Sequence, residues 1–170
     1  GTVGGSTFSG LTGRLELGKI PTISIRSGTA RITLGELYPW GASLDGIRDS
    51  VTPVRSVQGV AGIATLSFDG PLREPGEWRF DAGGSVENLE VDTSLLPGPV
   101  TVPRGRFRIR PEELSFTDVE ASLLDTTFQG GAQWRGYRTG IDQVAAALHG
   151  GVGVEAAKWA FTRLEVPHPY

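Results

Sequence analysis

Residues Arg104-Gly105-Arg106-Phe107-Arg108-Ile109-Arg110 alternate basic and non-basic positions with a period of two. Only an extended strand sends residues i, i+2 and i+4 to the same side, so this segment has one wet face and one apolar face. The same alternation recurs in Leu11, Gly13, Leu15 and Leu17, in Ile23 and Ile25, and in Ala30, Ile32 and Leu34. It returns in Val60, Gly62, Ala64, Leu66 and Phe68, in Leu114 and Phe116, in Val119, Ala121 and Leu123, and in Phe128, Gly130, Ala132 and Trp134. The chain is therefore expected to be mainly β: a curved antiparallel meander sheet forming an open groove or partial barrel, with short helices near the middle and at the C-terminus.

Turn signals separate these runs. Gly18-Lys19, Ser27-Gly28, Gly83-Gly84, Pro111-Glu112 and Asp125-Thr126 read as turns, and Leu95 to Pro99 as a rigid connection. Val86 and then Leu89 and Val91 change parity at Glu87-Asn88, which predicts a β-bulge. Leu37, Trp40 and Leu44 recur at helical spacing, so a short helix is expected over 36–47, with Pro39 in its first turn and Trp40 plugging one end of the core. Ile141, Val144, Ala145 and Leu148 form a second helical stripe, and Val154 to Leu164 a third. The resulting division is a β-sheet segment over 1–138 and a helical cap or connector over 139–170.

The chemistry of the chain is sparse. A formal charge of −3, from 16 basic and 19 acidic residues, argues against nucleic acid as partner. There is no Cys, hence no disulfide or thiol chemistry, and no Met, so the sequence is expected to be a processed or excised piece. No run approaches the length of a membrane span. His149 and His168 stand beside Gly and Pro without metal-ligand spacing. Ser9, Ser67 and Ser115 sit in strand patterns without a nucleophile elbow. Asp81, Glu87, Glu90 and Asp92 lack the spacing of a calcium loop. Gly4-Gly5 and Gly150-Gly151-Val152-Gly153 lack the Lys-Ser/Thr of a phosphate loop. No enzyme activity, cofactor or metal is expected.

What the sequence repeats is the one-sided strand. By parity the apolar lining is Leu15, Leu17, Ile23, Ile25, Ile32, Leu34, Leu66, Phe68, Phe107, Ile109, Leu114, Phe116, Leu123 and Phe128. A trough with this lining would take acyl chains, each buried CH₂ contributing about 0.8 kcal/mol. The same residues would equally fill a closed sandwich. Arg104, Arg106, Arg108 and Arg110, with Arg135 and Arg138 as neighbours, are either a solvated strand face or a contact for anionic headgroups or a membrane surface. Trp78 and Trp134 could instead be stacking platforms of a carbohydrate-binding β-sandwich.

Three stretches carry a family resemblance. Residues 30–40, ARITLGELYPW, resemble the strand-into-helix step of the AsmA-like proteins. Residues 57–70, VQGVAGIATLSFDG, resemble a strand of that family that ends in Gly before a Pro-containing loop, and residues 99–137 are the most similar stretch. The closing GVEAAKWAFTRLEVPHP is similar to a helix-and-proline exit between modules. Gly41 departs from the pattern, where a bulky apolar residue is expected. The resemblance implies an envelope protein of a Gram-negative bacterium, anchored in the inner membrane and lying in the periplasm. It implies phospholipid transport along a hydrophobic groove between inner and outer membranes, and so outer-membrane biogenesis. The implied partners are phospholipid acyl chains, the remainder of the parent chain, and inner- and outer-membrane proteins. A structural or assembly β-domain of the envelope is the alternative.

Overall fold

A computed structural model describes residues 1–43, 48, 52–137 and 143–163. Nine strands form one antiparallel sheet in which spatial order equals chain order: β1 (Thr2–Val3), β2 (Ser6–Glu16), β3 (Thr22–Thr33), β4 (Val54–Pro71), β5 (Arg79–Thr93), β6 (Val100–Arg110), β7 (Glu113–Leu123), β8 (Thr126–Arg135) and β9 (Gln143–Gly151). The sheet is open: β9 and β1 are its two ends and do not meet. Helix α1 (Leu34–Ala42) links β3 to β4, a 3₁₀ turn (Pro75–Glu77) precedes β5, and helix α2 (Val154–Arg163) follows β9. The meander follows from the sequence, because short polar turns join strands of one parity and antiparallel neighbours need no crossover.

Cross-strand register puts the apolar residues on one face. One row runs Ala30, Ile63, Gly84, Phe107, Phe116, Ala132 and Ala146, and the next runs Leu66, Ala82, Ile109, Leu114, Trp134 and Val144. Ala61, Val86, Leu89, Val102 and Ala121 are the buried centre of this face. They pack against Ile32, Val57, Val91, Val100, Phe107, Val119 and Phe128 of neighbouring strands and against Leu34 at the start of α1. Among the described residues no large side chain is fully buried, and α1 packs mainly against β4 and β3. Among the described residues no second layer lies over the apolar face. The sheet thus has half of an ordinary two-layer core.

The structure corrects several expectations. Ser27-Gly28 and Gly83-Gly84 lie in the interiors of β3 and β5 and do not turn the chain. There the glycines admit close approach: a Cβ on Gly84 would run into the carbonyl oxygen of Gly62, and one on Gly28 into the side chain of Leu11. Leu114 to Leu123 is one strand, not two, bent by a bulge at Asp118 (φ 52°). The predicted bulge at Glu87-Asn88 is present, with Asn88 at φ 50° opposite the register shift between Gln58 and Val60. A second bulge, at Ala64 on β4, was not foreseen, and it places Ala61 and Ile63, not Val60 and Gly62, on the apolar face.

The helices also differ. Helix α1 begins at Leu34, Pro39 lies in its interior, and Trp40 is 59% exposed, so it plugs no core. Over 143–148 the expected helix is instead strand β9, which pairs with β8 from Gln143 to Gly151, and Ile141 lies outside the described residues. The sheet therefore continues past 138 into the segment assigned to a helical cap. The third helix is α2, where expected.

Candidate functional site

The apolar face is the most extensive chemical feature of the molecule. The register brings together Leu15 with Ile23, Ile25 with Phe68, Leu66 with Ile109 and Leu114 through Ala82, and Phe107 with Phe116. Ile32 pairs with Ala61, Leu123 with Val100, and Phe128 with Ala121. Two of the expected lining residues stand apart. Leu17 lies in the β2–β3 turn and is 82% exposed, and Leu34 opens α1, where it packs against the edge of the buried cluster. Parity reasoning also missed members of this face. Phe8, Ile63, Phe80, Val86, Leu89, Val91, Val100, Val102 and Trp134 all belong to it by pairing. Ile63 was hidden by the Ala64 bulge, which reverses parity within one strand.

The two candidate stacking tryptophans are already engaged. Trp78 meets Phe68 edge-on with ring centroids 5.3 Å apart, and its indole N–H donates to the Pro71 carbonyl at 2.7 Å. Trp134 meets Phe116 at 6.0 Å and 90°. Both geometries are those of edge-to-face aromatic packing.

The opposite face is ionic. Arg108 holds Asp81 with two hydrogen bonds of 2.9 and 2.8 Å, and Arg110 reaches the same carboxylate at 3.0 Å. Arg106 lies 3.5 Å from Asp118 and Arg104 lies 4.0 Å from Glu120. Arg31 pairs with Glu87 and Arg135 with Glu113. The Arg108 hydrogen bond, with Arg110 behind it, holds the Asp81 carboxyl below its ordinary range, and Arg31 does the same for Glu87. The arginine stripe is thus a cross-strand ladder of exposed ion pairs. It also lies on the other side of the sheet from Phe107 and Ile109. β6 is three strands from the β9 edge, roughly 14 Å at about 4.8 Å per strand, so a lipid lying on the apolar face does not bring its headgroup to these arginines. Arg138 lies outside the described residues.

A concavity of about 920 Å³ is framed by Ser27, Thr29, Thr65, Ser67, Asp81 and Arg108, with Ala64, Leu66 and Phe107 also in its lining, so its walls are mixed. Ser9 and Ser115 line it as well, without a histidine beside them. His149 pairs in register with Gln129 on the ionic face, away from this concavity, and His168 is outside the described residues. Asp81, Glu87 and Asp92 are taken up by Arg108, Arg31 and Arg55, and among the described residues no group of three or more His, Asp or Glu side chains could hold a metal ion. No helix among them is long and apolar enough to cross a membrane.

The Asp125 carboxylate accepts from the backbone N–H groups of Glu155 and Ala156, at 3.0 and 3.1 Å, which fastens the start of α2 to the β7–β8 turn. Those bonds hold the Asp125 carboxyl below its ordinary value. Compared with known protein families, characterised proteins and solved structures, the chain matches none of them.

Proposed function

We propose that the chain is a non-enzymatic lipid-binding segment that takes phospholipid acyl chains on the apolar face of its sheet. One observation carries the reading. The apolar face is continuous from β2 to β9, most of its Leu, Ile and Phe side chains are half-buried or exposed, and no layer of the described residues covers it. An acyl chain laid on Phe107, Phe116 and Ile109 would leave water at about 0.8 kcal/mol per CH₂. Its headgroup would stay wet beyond an edge of the sheet, where Leu15 and Leu148 are about half exposed. The mechanism is passive and needs no catalytic group. The resemblance to AsmA-like proteins supports placing this segment in the periplasm, within an inner-membrane-anchored protein that passes phospholipid towards the outer membrane.

The test is photocrosslinking. A photoreactive residue at position 107 is expected to label co-purified phospholipid, and one at position 108 to label little. Equal labelling from both positions, or none from 107 in the presence of phospholipid vesicles, overturns the proposal.

A further inference from the structure

The two edges of the sheet are built differently. At the first edge β1 is only two residues long, and β2 beyond it is broken by register shifts between Ser9 and Gly13 and carries Arg14 and Glu16. Bulges and charges of this kind keep an edge from pairing with another chain. β9 has none of them. It pairs with β8 over nine consecutive residues without a bulge, contains no Pro, Lys, Arg, Asp or Glu, and every residue in it is exposed. Its outer N–H and C=O groups meet no strand among the described residues. Among the described residues the chain does not turn back over this edge as it leaves: Gly153 donates to Thr126 Oγ1 and Asp125 caps α2, which draws the exit towards the β7–β8 turn.

The sequence of this edge reads the same in both directions in size and polarity. About Ala146 it runs Gln143-Val144-Ala145-Ala146-Ala147-Leu148-His149: a polar residue, a branched apolar residue, three alanines, a branched apolar residue, a polar residue. An antiparallel strand paired to its own copy about a two-fold axis needs that symmetry, because residue i must suit residue j and residue j must suit i. With the axis through Ala146 and perpendicular to the sheet, Val144 meets Leu148, Ala145 meets Ala147 and Gln143 meets His149 of a second copy. The axis keeps apolar face beside apolar face, as register requires. Neither a bulky clash nor a pair of like fixed charges arises.

We propose that β9 is a dimerisation edge, at which two copies of this chain join their sheets in register about Ala146. The proposal does not rest on lipid binding. It would join the apolar faces of both copies into one continuous surface, and it would cover Val144 and Leu148, which are 54% and 52% exposed in the single chain.

The absence of cysteine makes the register directly measurable. At the axis the two Cα atoms of position 146 would lie about 4.5–5.5 Å apart, within disulfide range, whereas those of position 145 would be offset by two residues to about 8 Å, beyond it. Ala146→Cys is therefore expected to give a disulfide-linked dimer on mild oxidation, at least tenfold faster than Ala145→Cys. Sedimentation across a concentration series is expected to show the parent chain moving to twice its 18.1 kDa mass. Ala146→Lys, which sets two ammonium groups face to face, is expected to remain monomeric with an unchanged circular dichroism spectrum. A parent chain that stays monomeric at every concentration overturns the proposal. So does equal crosslinking at 145 and 146, or an Ala146→Lys protein that still dimerises, since each would place the contact elsewhere.

Discussion

Replacing Phe107 with Asp separates an open apolar face from a sealed one. Phe107 sits in the middle of β6, beside Gly84 on one side and Phe116 on the other, and it is half-buried. Its contacts are lateral, with neighbours in the sheet, because no described layer lies above it. A fully buried aromatic side chain covers about 150–250 Å², so lateral packing alone accounts for roughly 100 Å². At about 25 cal/mol per Å² the substitution costs around 2–3 kcal/mol of packing. The new carboxylate can point to water above the sheet and keeps its hydration. For a chain of this length that corresponds to a fall in Tm of roughly 5–10 °C, followed by circular dichroism, with a folded protein at room temperature. On the proposed reading, lipid affinity is expected to fall further. A charge in the row between Ile63 and Phe116 displaces three or four methylenes of an acyl chain, about 3 kcal/mol, or on the order of a hundredfold in Kd. Binding of a fluorescent phospholipid measures it. Arg108→Asp, one residue along on the ionic face, is expected to leave that binding unchanged. If Phe107→Asp instead unfolds the chain outright, the carboxylate has been forced into a dry interior, and an open face is the wrong description.

Gly84→Ala sets a methyl group against the Gly62 carbonyl oxygen where β4 and β5 approach closely, and it is expected to cost roughly 1–3 kcal/mol in urea denaturation. Unchanged stability would mean that this approach is not as tight as described. In acid, the carboxyls of Asp81, Glu87 and Asp125 are held below their ordinary values of 3.8, 4.5 and 3.8. The unfolded chain therefore binds more protons than the folded one as the pH falls through that range. The stability these groups contribute is complete above about pH 5 and is lost as pH falls through the folded values. Urea midpoints should drop between pH 5 and pH 2, and Asp81→Asn should flatten that slope. Asp125→Asn should flatten it too, and should also speed hydrogen exchange of the α2 amides, because it weakens the cap on that helix.

Most of the sheet was legible because period two has one physical meaning and turns between antiparallel strands are short. The Glu87-Asn88 bulge was legible for the same reason, as a parity change inside an apolar run. Two kinds of residue misled. Gly83-Gly84 reads as a turn because glycine permits turns, yet here it serves the other use of a missing Cβ, the close approach of neighbouring strands. Whether a glycine bends a strand or lets one pass is decided by the partner strand, which a local reading does not contain. Val144 and Leu148 read as helix because residues four apart share a face in a helix, but they share a face in a strand as well. Only the residues between them distinguish the periods, and those are alanines, whose propensity favours helix. What decided the matter was β8, whose free edge offered β9 a full ladder of backbone hydrogen bonds. Intrinsic helix propensity, a few tenths of a kcal/mol per residue, is overridden by such tertiary context.

The arginine stripe yields to the same reasoning about faces. Read along one strand, Arg104 to Arg110 is a block of positive charge in search of an anion. Read across the sheet, each guanidinium has a carboxylate on the neighbouring strand, so the anions are supplied from within. Exposed pairs of this kind contribute little to stability. Their effect is on register: a slip of β6 by one residue against β5 or β7 would turn every arginine onto the apolar face and every Phe and Ile into water. Ionic and apolar residues on β6 therefore enforce one arrangement together. They keep the apolar side of the sheet free of fixed charge from β3 to β9, and freedom from charge is what an acyl chain requires of a surface it lies on. On the proposed reading, the arginines would serve a lipid by staying on the far side of the sheet from it.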